Sequence, residues 1–339
     1  MINFDSIEAC IQEGTLTFLI GPQPKDRTEW LQKINDSIES AKQPTMLSTD
    51  RKGLFKRLFY RLDGDDNSEL LPIKKTTHLS FLNQLEKNDI QVLEDGIDDP
   101  SLTVQNYLSS SLGISFLVEK KIELDYWLSW SGLKSRQKSL ISDLTCEKQI
   151  ILKLASKLIK GPRLILIDSI LDSLNTAPRN DILTLLKKTA KKHKFAFVLS
   201  TNSLASAYSH ATTIAVIIDN NIHQIADPQT IYYAPSTTDI ALFTGEGSLY
   251  PVTVLNNNVI KIENEIHEAP LPANLIGEKK LNLFIRANQI FFNPTSDIEI
   301  TIMDIKFMGS ISIYTVKTST GHHLTLADYT ANEYKVGEK

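Results

Sequence analysis

Residues 160–175, KGPRLILIDSILDSLN, decide the fold class of this chain. The run from Leu164 to Ile167 is apolar without a break and leads directly into Asp168, a pattern typical of a strand buried on both faces of a parallel sheet. Such a strand delivers one carboxylate to the end of the sheet, where metal ions and polar ligands bind. Asp168 is therefore the first candidate for a functional residue.

A second buried strand is predicted at residues 16–20, LTFLI, close to the amino terminus. It ends in the segment 21–28, GPQPKDRT, and an amphipathic helical pattern follows at residues 29–41. A strand, a turn, a helix and a distant strand that ends in aspartate form the outline of a phosphate-binding α/β domain.

The sequence pattern changes near residue 235, and this change predicts two domains. Before it, helices and strands alternate, with the strongest helical pattern at 145–159 and a clear strand at 213–218. Beyond it the sequence holds short strands separated by turns, which is typical of a small β-barrel. We predict an α/β domain at 1–235 and an all-β domain at 236–339.

Composition and charge exclude several classes of function. The 339 residues are 42% hydrophobic and 22% charged, which are values typical of globular domains. The net charge of −4 argues against a general nucleic-acid binder, and two cysteines provide neither a disulfide framework nor a zinc site. No apolar run approaches the roughly 18 residues that span a bilayer. We therefore expect a protein of the reducing cytoplasm that has no nucleic acid as a partner.

Two segments leave alternatives open. The basic run at 51–62, RKGLFKRLFYRL, lies next to acidic residues and is either a surface excursion or a membrane-surface helix. The aromatic residues within 101–140, among them Tyr126, Trp127 and Trp130, belong either to the core or to a partner-binding face.

Taken together, these pieces resemble the ATP-binding subunit of a bacterial ABC importer, of the subgroup that carries a C-terminal barrel and serves sugars, sulfate, polyamines or ferric iron. Residues 144–168 keep the spacing of that family from the signature region to the Walker B aspartate. Residues 211–245 resemble the passage from the last strands into the barrel, and 282–290, NLFIRANQI, resemble a segment of the barrel itself. The resemblance covers nearly the whole chain.

The resemblance implies a fold, cofactors and partners. The fold is a P-loop NTPase-like (ABC ATPase) α/β domain with a helical subdomain at about 94–144, followed by a small all-β, OB-like (TOBE/MOP-like) barrel. The implied cofactors are ATP and Mg. The implied partners are permease membrane subunits and a second ABC ATPase subunit, which is either an identical copy or an intact heterologous chain. The expected location is cytoplasmic and peripheral, on the inner face of the cell membrane.

The phosphate-loop positions depart from the family pattern. A working loop reads G-x-x-x-x-G-K-[ST], in which glycines let backbone N–H groups close around phosphate and a lysine neutralises it. Here Gly21 and Thr28 are kept, but the second glycine is Asp26 and the lysine is Arg27. Asp26 adds a Cβ and a negative charge beside the phosphate, and the planar fork of Arg27 is not interchangeable with an ammonium group. Lys25 remains as a second cation.

The other positions implied by the resemblance have changed as well. Asp168 stands at the magnesium aspartate and forms the candidate Mg site with Thr28, but Ser169 stands at the catalytic glutamate and cannot serve as a base. The remaining replacements are Glu94 for the glutamine that senses magnesium, Thr145, Cys146 and Glu147 for the signature serine and glycines, Asn175 for the D-loop aspartate, and Asn202 for the switch histidine. The nucleotide-binding candidates are Gly21, Lys25, Arg27, Thr28, Glu94 and Asp168.

Two functions therefore remain open. The first is an importer subunit that docks on a permease through the region around residues 94–140 and does not hydrolyse ATP at a useful rate by itself. The second is a non-catalytic pseudo-ATPase with a regulatory or scaffolding role. An intact partner ATPase would favour the first, whereas the loss of both the phosphate loop and the signature favours the second. The sequence does not identify the transported solute.

Overall fold

The structure is a computed structural model that describes residues 7, 9–40, 82, 85, 87–93, 96–97, 99–112, 118–256, 259–262, 265–269, 280–293, 298–330 and 334–338. The chain divides into two compact units, Met1–Ile225 and Ala226–Lys339. The predictions made for the basic run 51–62 and for Glu94 fall outside the described residues.

A mixed sheet forms the centre of the first unit. Its strands are β1 (Leu16–Ile20), β2 (Ile90–Leu93), β3 (Leu164–Asp168), β4 (Ala196–Ser200), β5 (Thr213–Ile218) and β6 (Asn221–Ala226). The strand order is β2-β3-β4-β1-β5-β6, and the pairs among β1 to β5 are all parallel. Every residue of β1 and of β4 is buried, as expected for central strands covered on both faces.

Helices pack on both faces of this sheet. They include α1 (Pro24–Ser40), α2 (Val104–Ser111), α3 (Val118–Trp130), α4 (Cys146–Leu158), α5 (Thr176–His193) and α6 (Leu204–His210). Successive strand residues point to opposite faces. Leu166 shares one core with Ile34 of α1, whereas its neighbour Ile167 lines the other face together with Leu183 of α5. The first unit is therefore the doubly wound α/β arrangement that the sequence predicts.

The boundaries of two helices test the sequence predictions. The helix predicted at 145–159 is confirmed as α4. The prediction that the first helix begins at residue 29 is wrong, because α1 begins at Pro24. Proline suits the first position of a helix, where its missing N–H costs nothing. The segment read as a phosphate-binding turn is thus mostly the first turn of α1.

The aromatic residues of α3 are used inside the first unit. Trp127 is only 3% exposed, and Trp130 Nε1 donates a hydrogen bond of 2.8 Å to Thr189 Oγ1 of α5. Tyr126 Oη and His193 Nε2 are hydrogen-bonded at 2.8 Å, which joins the end of α3 to the end of α5. These contacts favour the core interpretation of the aromatic residues over a partner-binding face.

His193 is expected to make the stability of the chain depend on pH. Burial lowers its pKa, and the neighbouring Lys192 charge lowers the pKa further. Since the unfolded side chain titrates near pH 6.5, the unfolded state binds more protons just below that pH. The free energy of unfolding should therefore fall as the pH falls from about 7 to about 5. A His193→Gln chain, measured by urea unfolding at several pH values, should show a shallower slope, and an unchanged slope would contradict this assignment.

The second unit is built from antiparallel strands. They are β7 (Gly247–Asn256), β8 (Val259–Ile262), β9 (Glu265–Glu268), β10 (Lys280–Arg286), β11 (Ile300–Phe307), β12 (Ser312–Thr318) and β13 (His323–Asp328). They form two sheets, with the orders β10-β7-β8-β9 and β11-β12-β13. One hydrophobic core, which includes Tyr250, Ile302 and Tyr314, receives side chains from both sheets. The predicted fold class, an α/β unit followed by a small all-β unit, is confirmed.

Arg286 ties β10 to the segment that precedes the barrel strands, which contains helices α7 (Pro228–Tyr233) and α8 (Thr238–Phe243). Its side chain is 3% exposed. The guanidinium donates to the carbonyl oxygens of Tyr232 at 2.8 Å, Ala241 at 2.7 Å and Gly245 at 3.0 Å, and to Thr244 Oγ1 at 2.9 Å. The same group stacks 4.4 Å from the centre of the Tyr232 ring. One side chain thus holds together several turns of the second unit.

Candidate functional site

The candidate site lies at the carboxyl edge of the parallel sheet, where β1, β3 and β4 end side by side. Asp168 is the last residue of β3 and is paired in register with Ser200, the last residue of β4. Ser200 is in turn paired with Leu19 of β1, one residue before that strand ends. Because parallel strands end at the same edge, residues far apart in the sequence meet here.

The Asp168 carboxylate accepts hydrogen bonds from three hydroxyl groups. Thr28 Oγ1 donates to Asp168 Oδ2 at 2.7 Å. Ser169 Oγ at 3.2 Å and Ser200 Oγ both donate to Oδ1, and the two serine oxygens are 2.8 Å apart. Ser169 has a left-handed backbone, with φ at 51°. The structure therefore brings together Thr28 and Asp168, the pair that the sequence analysis selected for magnesium.

Gly21 is required by the neighbouring strand. A Cβ atom added at Gly21 would lie 2.1 Å from the carbonyl oxygen of Ile217 in β5, which is far inside contact distance. Only Pro22 and Gln23 separate Gly21 from α1. Pro22 and Pro24 carry no N–H group, so this short turn has few donors to offer a phosphate. The glycine is explained by packing, without reference to a ligand.

Arg27 lies with its guanidinium against this turn. The side chain is 2% exposed, and its Nη1 donates to the Gly21 carbonyl oxygen at 2.5 Å. Within the part of the chain that the structure describes, its Nε has no hydrogen-bond partner. Burial lowers the pKa of Arg27, and the carboxylates of Asp172, Asp168 and Asp26 oppose that shift. Arg27 is thus a buried cation at the edge of the sheet, and nearby carboxylates favour its charged form.

Asp26 and Lys25 make their contacts elsewhere, with the turn after β5 and with Glu29. Asp26 Oδ2 accepts a hydrogen bond of 2.8 Å from the backbone N–H of Asn220, in the two-residue turn between β5 and β6. Asn220 has a φ of 55° and also donates from its side chain to Glu29 at 2.6 Å. Lys25 is exposed, with Nζ 3.6 Å from Glu29 Oε1. Asp26, whose charge the sequence predicts beside a phosphate, thus also holds a hairpin turn.

Asp172 is a site residue that the sequence analysis missed. Its Oδ1 accepts from Thr201 Oγ1 at 2.5 Å, and its Oδ2 accepts from the backbone N–H of Asn202 at 2.8 Å. Arg179 Nη2 donates to the Asp172 carbonyl oxygen at 3.3 Å and holds the same loop from α5. The only signal in the sequence was a second carboxylate four residues after Asp168. Asp172 therefore joins the loop after β3 to the loop after β4.

The signature-like residues lie at the start of α4. Thr145 is the N-cap residue of this helix but makes no side-chain cap hydrogen bond, and Glu147 lies in the first helical turn. Cys146 is a free, exposed cysteine. It lines a cavity of about 140 Å³ together with Ile170 and Ser173 of the loop after β3. Asn175 is the N-cap residue of α5, also without a side-chain cap hydrogen bond.

In the described ranges of the chain, no three or more His, Cys, Asp and Glu side chains gather as they would around a metal ion. No helix there is long and apolar enough to cross a membrane.

No family model matches the chain. The chain is 22% identical over 98% of its length to the Fe(3+) ions import ATP-binding protein FbpC 2 of Haemophilus influenzae strain Rd, and it covers 88% of that protein. It is 26% identical over 52% of its length to the spermidine/putrescine import ATP-binding protein PotA of Mycoplasma genitalium, of which it covers 32%.

Among solved structures, the chain is similar to CbiO1 of Clostridium perfringens, described as part of the ABC transporter complex CbiONQ. The two are 14% identical with a TM-score of 0.46, and the match covers 65% of this chain and 80% of CbiO1.

Proposed function

We propose that this chain, a homologue of the ATP-binding subunits of ABC importers, is a peripheral subunit of a bacterial ABC importer that does not hydrolyse ATP by itself. The observation that carries the proposal is the similarity to FbpC 2 along 98% of the chain, which includes both units. We propose that the chain consists of an ABC-type domain at 1–235 and a TOBE-like barrel at 236–339. Its location in this proposal is the cytoplasmic face of the cell membrane.

The non-catalytic part of the proposal rests on the site residues. Ser169 stands next to Asp168, where the family has its catalytic glutamate, and its hydroxyl donates to Asp168 and lies 2.8 Å from Ser200 Oγ. A serine hydroxyl is too weak a base to take a proton from water near neutral pH. The turn that would meet the phosphates faces Arg27 and lacks the second glycine. In this proposal, a second and intact ABC ATPase subunit hydrolyses the ATP.

The proposed partners follow from the family and from the first unit. The permease is proposed to contact the region around residues 94–140, which includes α2 and α3. The aromatic side chains of α3 are engaged with α5, so we infer that exposed residues such as Ile122, which is 68% exposed, form the contact instead. For the solute, the names of FbpC 2 and PotA support ferric iron or a polyamine.

Solute uptake by cells tests this proposal. Removing the gene for this chain should abolish the uptake of labelled ferric iron or of labelled spermidine, but not of both. The purified chain should release no phosphate from Mg-ATP, because Ser169 provides no base beside Asp168. Steady phosphate release that Asp168→Ala abolishes would show that this chain hydrolyses ATP by itself. Normal uptake of both solutes without the chain would exclude the importer role.

A second candidate function is a pseudo-ATPase that acts as a regulator or scaffold. It is favoured by the signature positions, where Thr145, Cys146 and Glu147 replace a serine and two glycines. Glu147 would place a carboxylate where a partner's nucleotide needs hydrogen-bond donors. An uptake defect on removal of the chain favours the importer subunit, and unchanged uptake favours this second candidate.

A further inference from the structure

The family resemblance implies Mg-ATP as a ligand. Its phosphates would have to be held by the turn after β1. A phosphate nest needs successive backbone N–H groups that converge on one point. Between Gly21 and Lys25 two of the residues are prolines, which have no N–H group. The Gly21 carbonyl accepts a hydrogen bond from the buried Arg27 guanidinium, so a side chain of the protein already meets this turn. The first turn of α1 offers further N–H groups, but it carries the Asp26 carboxylate, whose charge repels a phosphate. These residues therefore do not fit a triphosphate.

The two candidate magnesium ligands, Thr28 and Asp168, do not fit a metal ion either. Thr28 and Asp168 are hydrogen-bonded directly to each other at 2.7 Å. The second Asp168 oxygen accepts from Ser169 and Ser200, so both carboxylate oxygens already have donors from the protein. A metal ion bound directly to this carboxylate would have to replace one of these donors, of which Ser200 lies in β4 and Thr28 is exposed on α1. The carboxylate is satisfied by hydroxyl donors alone.

We propose that this edge of the sheet is closed by side chains of the chain itself and keeps one arrangement whether or not nucleotide is present. We call the set formed by Arg27, Thr28, Asp168, Asp172 and Asn202 the internal lock. This inference rests on the non-catalytic part of the proposed function and deepens it. The chain would contribute a fixed surface to its assembly, and nucleotide would not change that surface.

Asp172 is the central positioning residue of the internal lock. One of its oxygens binds the Thr201 hydroxyl and the other binds the Asn202 amide, so a single carboxylate restrains two successive residues after β4. Asn202 aligns with the switch histidine of the family, a position that is tied here to a side chain of the same chain. Arg27 adds a contact at the neighbouring turn, where its buried guanidinium donates to the Gly21 carbonyl.

Hydrogen exchange at the backbone amide of Asn202 reports directly on the internal lock. In the full-length protein without nucleotide, this amide should be protected from hydrogen exchange, as measured by NMR. Millimolar Mg-ATP should change neither its protection nor the melting temperature. A ligand that bound only the folded chain at about 100 times its Kd would raise the melting temperature by several degrees. A rise of that size, or a change at Asn202 on addition of Mg-ATP, would overturn the internal lock.

Variants of Asp172 complete the test. Asp172→Ala should remove the protection of the Asn202 amide, and Asp172→Asn, which keeps one acceptor oxygen, should remove only part of it. Asp181→Ala deletes an exposed carboxylate on α5 and should leave the amide protected, so it serves as the matched control. Protection retained in both Asp172 variants would show that Asp172 does not hold this loop.

The outcomes separate this inference from the proposed function. Binding of Mg-ATP by the purified chain would refute the internal lock and leave the importer role intact. Normal solute uptake in cells without the chain would refute the importer role, whatever the exchange rate of Asn202 shows.

Discussion

A chain with Arg286→Ala is expected to lose about 3 to 5 kcal/mol from the free energy of unfolding of its second unit. The substitution removes the donor for the carbonyl oxygens of Tyr232, Ala241 and Gly245 and for the Thr244 hydroxyl. A buried acceptor left without a donor costs about 1 to 3 kcal/mol, and entry of water recovers part of that cost. Faster hydrogen exchange in β10 and β7 would measure the loss.

Two other variants check the cause of that loss. Arg286→Lys keeps the positive charge but not the planar fork, and it should therefore recover only a small part of the lost stability. Lys280→Ala removes an exposed cation at the other end of β10 and should change the unfolding free energy by less than about 0.5 kcal/mol. Equal stability of the Arg286→Ala chain and the unchanged chain would show that the network does not stabilise the second unit.

A chain with Gly21→Ala is expected to lose about 3 kcal/mol of stability in its first unit, because the new methyl group has no space. Its Cβ would lie 2.1 Å from the Ile217 carbonyl oxygen, so β1 and β5 would have to move apart. That movement would also disturb Arg27, whose guanidinium binds the Gly21 carbonyl. Urea unfolding followed by tryptophan fluorescence reports on this unit, since all three tryptophans precede residue 131.

The adjacent residue supplies the control for this prediction. Pro22→Ala alters the same turn at an exposed position and has no comparable clash. Its unfolding midpoint should stay within about 0.5 kcal/mol of that of the unchanged chain. Similar losses in the Gly21→Ala and Pro22→Ala chains would point to the turn itself and not to contact with Ile217.

Much of the fold could be predicted from local patterns. β3 and α4 were predicted closely because long apolar runs and helical periodicity act over neighbouring residues, which a sequence displays directly. The start of α1 could not be placed, since the prolines of the segment 21–28 were read as parts of a turn. Proline at the first helical position and proline in a turn have the same local signal.

The candidate site was predictable only in part. The meeting of Thr28 and Asp168 follows from the rule that parallel strands end at one edge, and the sequence analysis selected both residues. The hydrogen bond from Asn220 to Asp26 joins residues that are 194 positions apart and depends on the exact place of a hairpin turn. The role of Asp172 depends likewise on a loop from another strand. No local pattern records such contacts, so neither the contact of Asp26 with Asn220 nor the role of Asp172 could be predicted from the sequence.

The contact between Asp26 and the turn at Asn220 also bears on how reversible the loss of the phosphate loop is. A glycine at position 26 would restore one element of that loop, but it would leave the Asn220 amide without its acceptor. It would also place a glycine inside α1, where glycine costs about 1 kcal/mol relative to alanine. This single step back toward nucleotide binding would therefore pass through a less stable chain, because the aspartate now has a structural contact of its own.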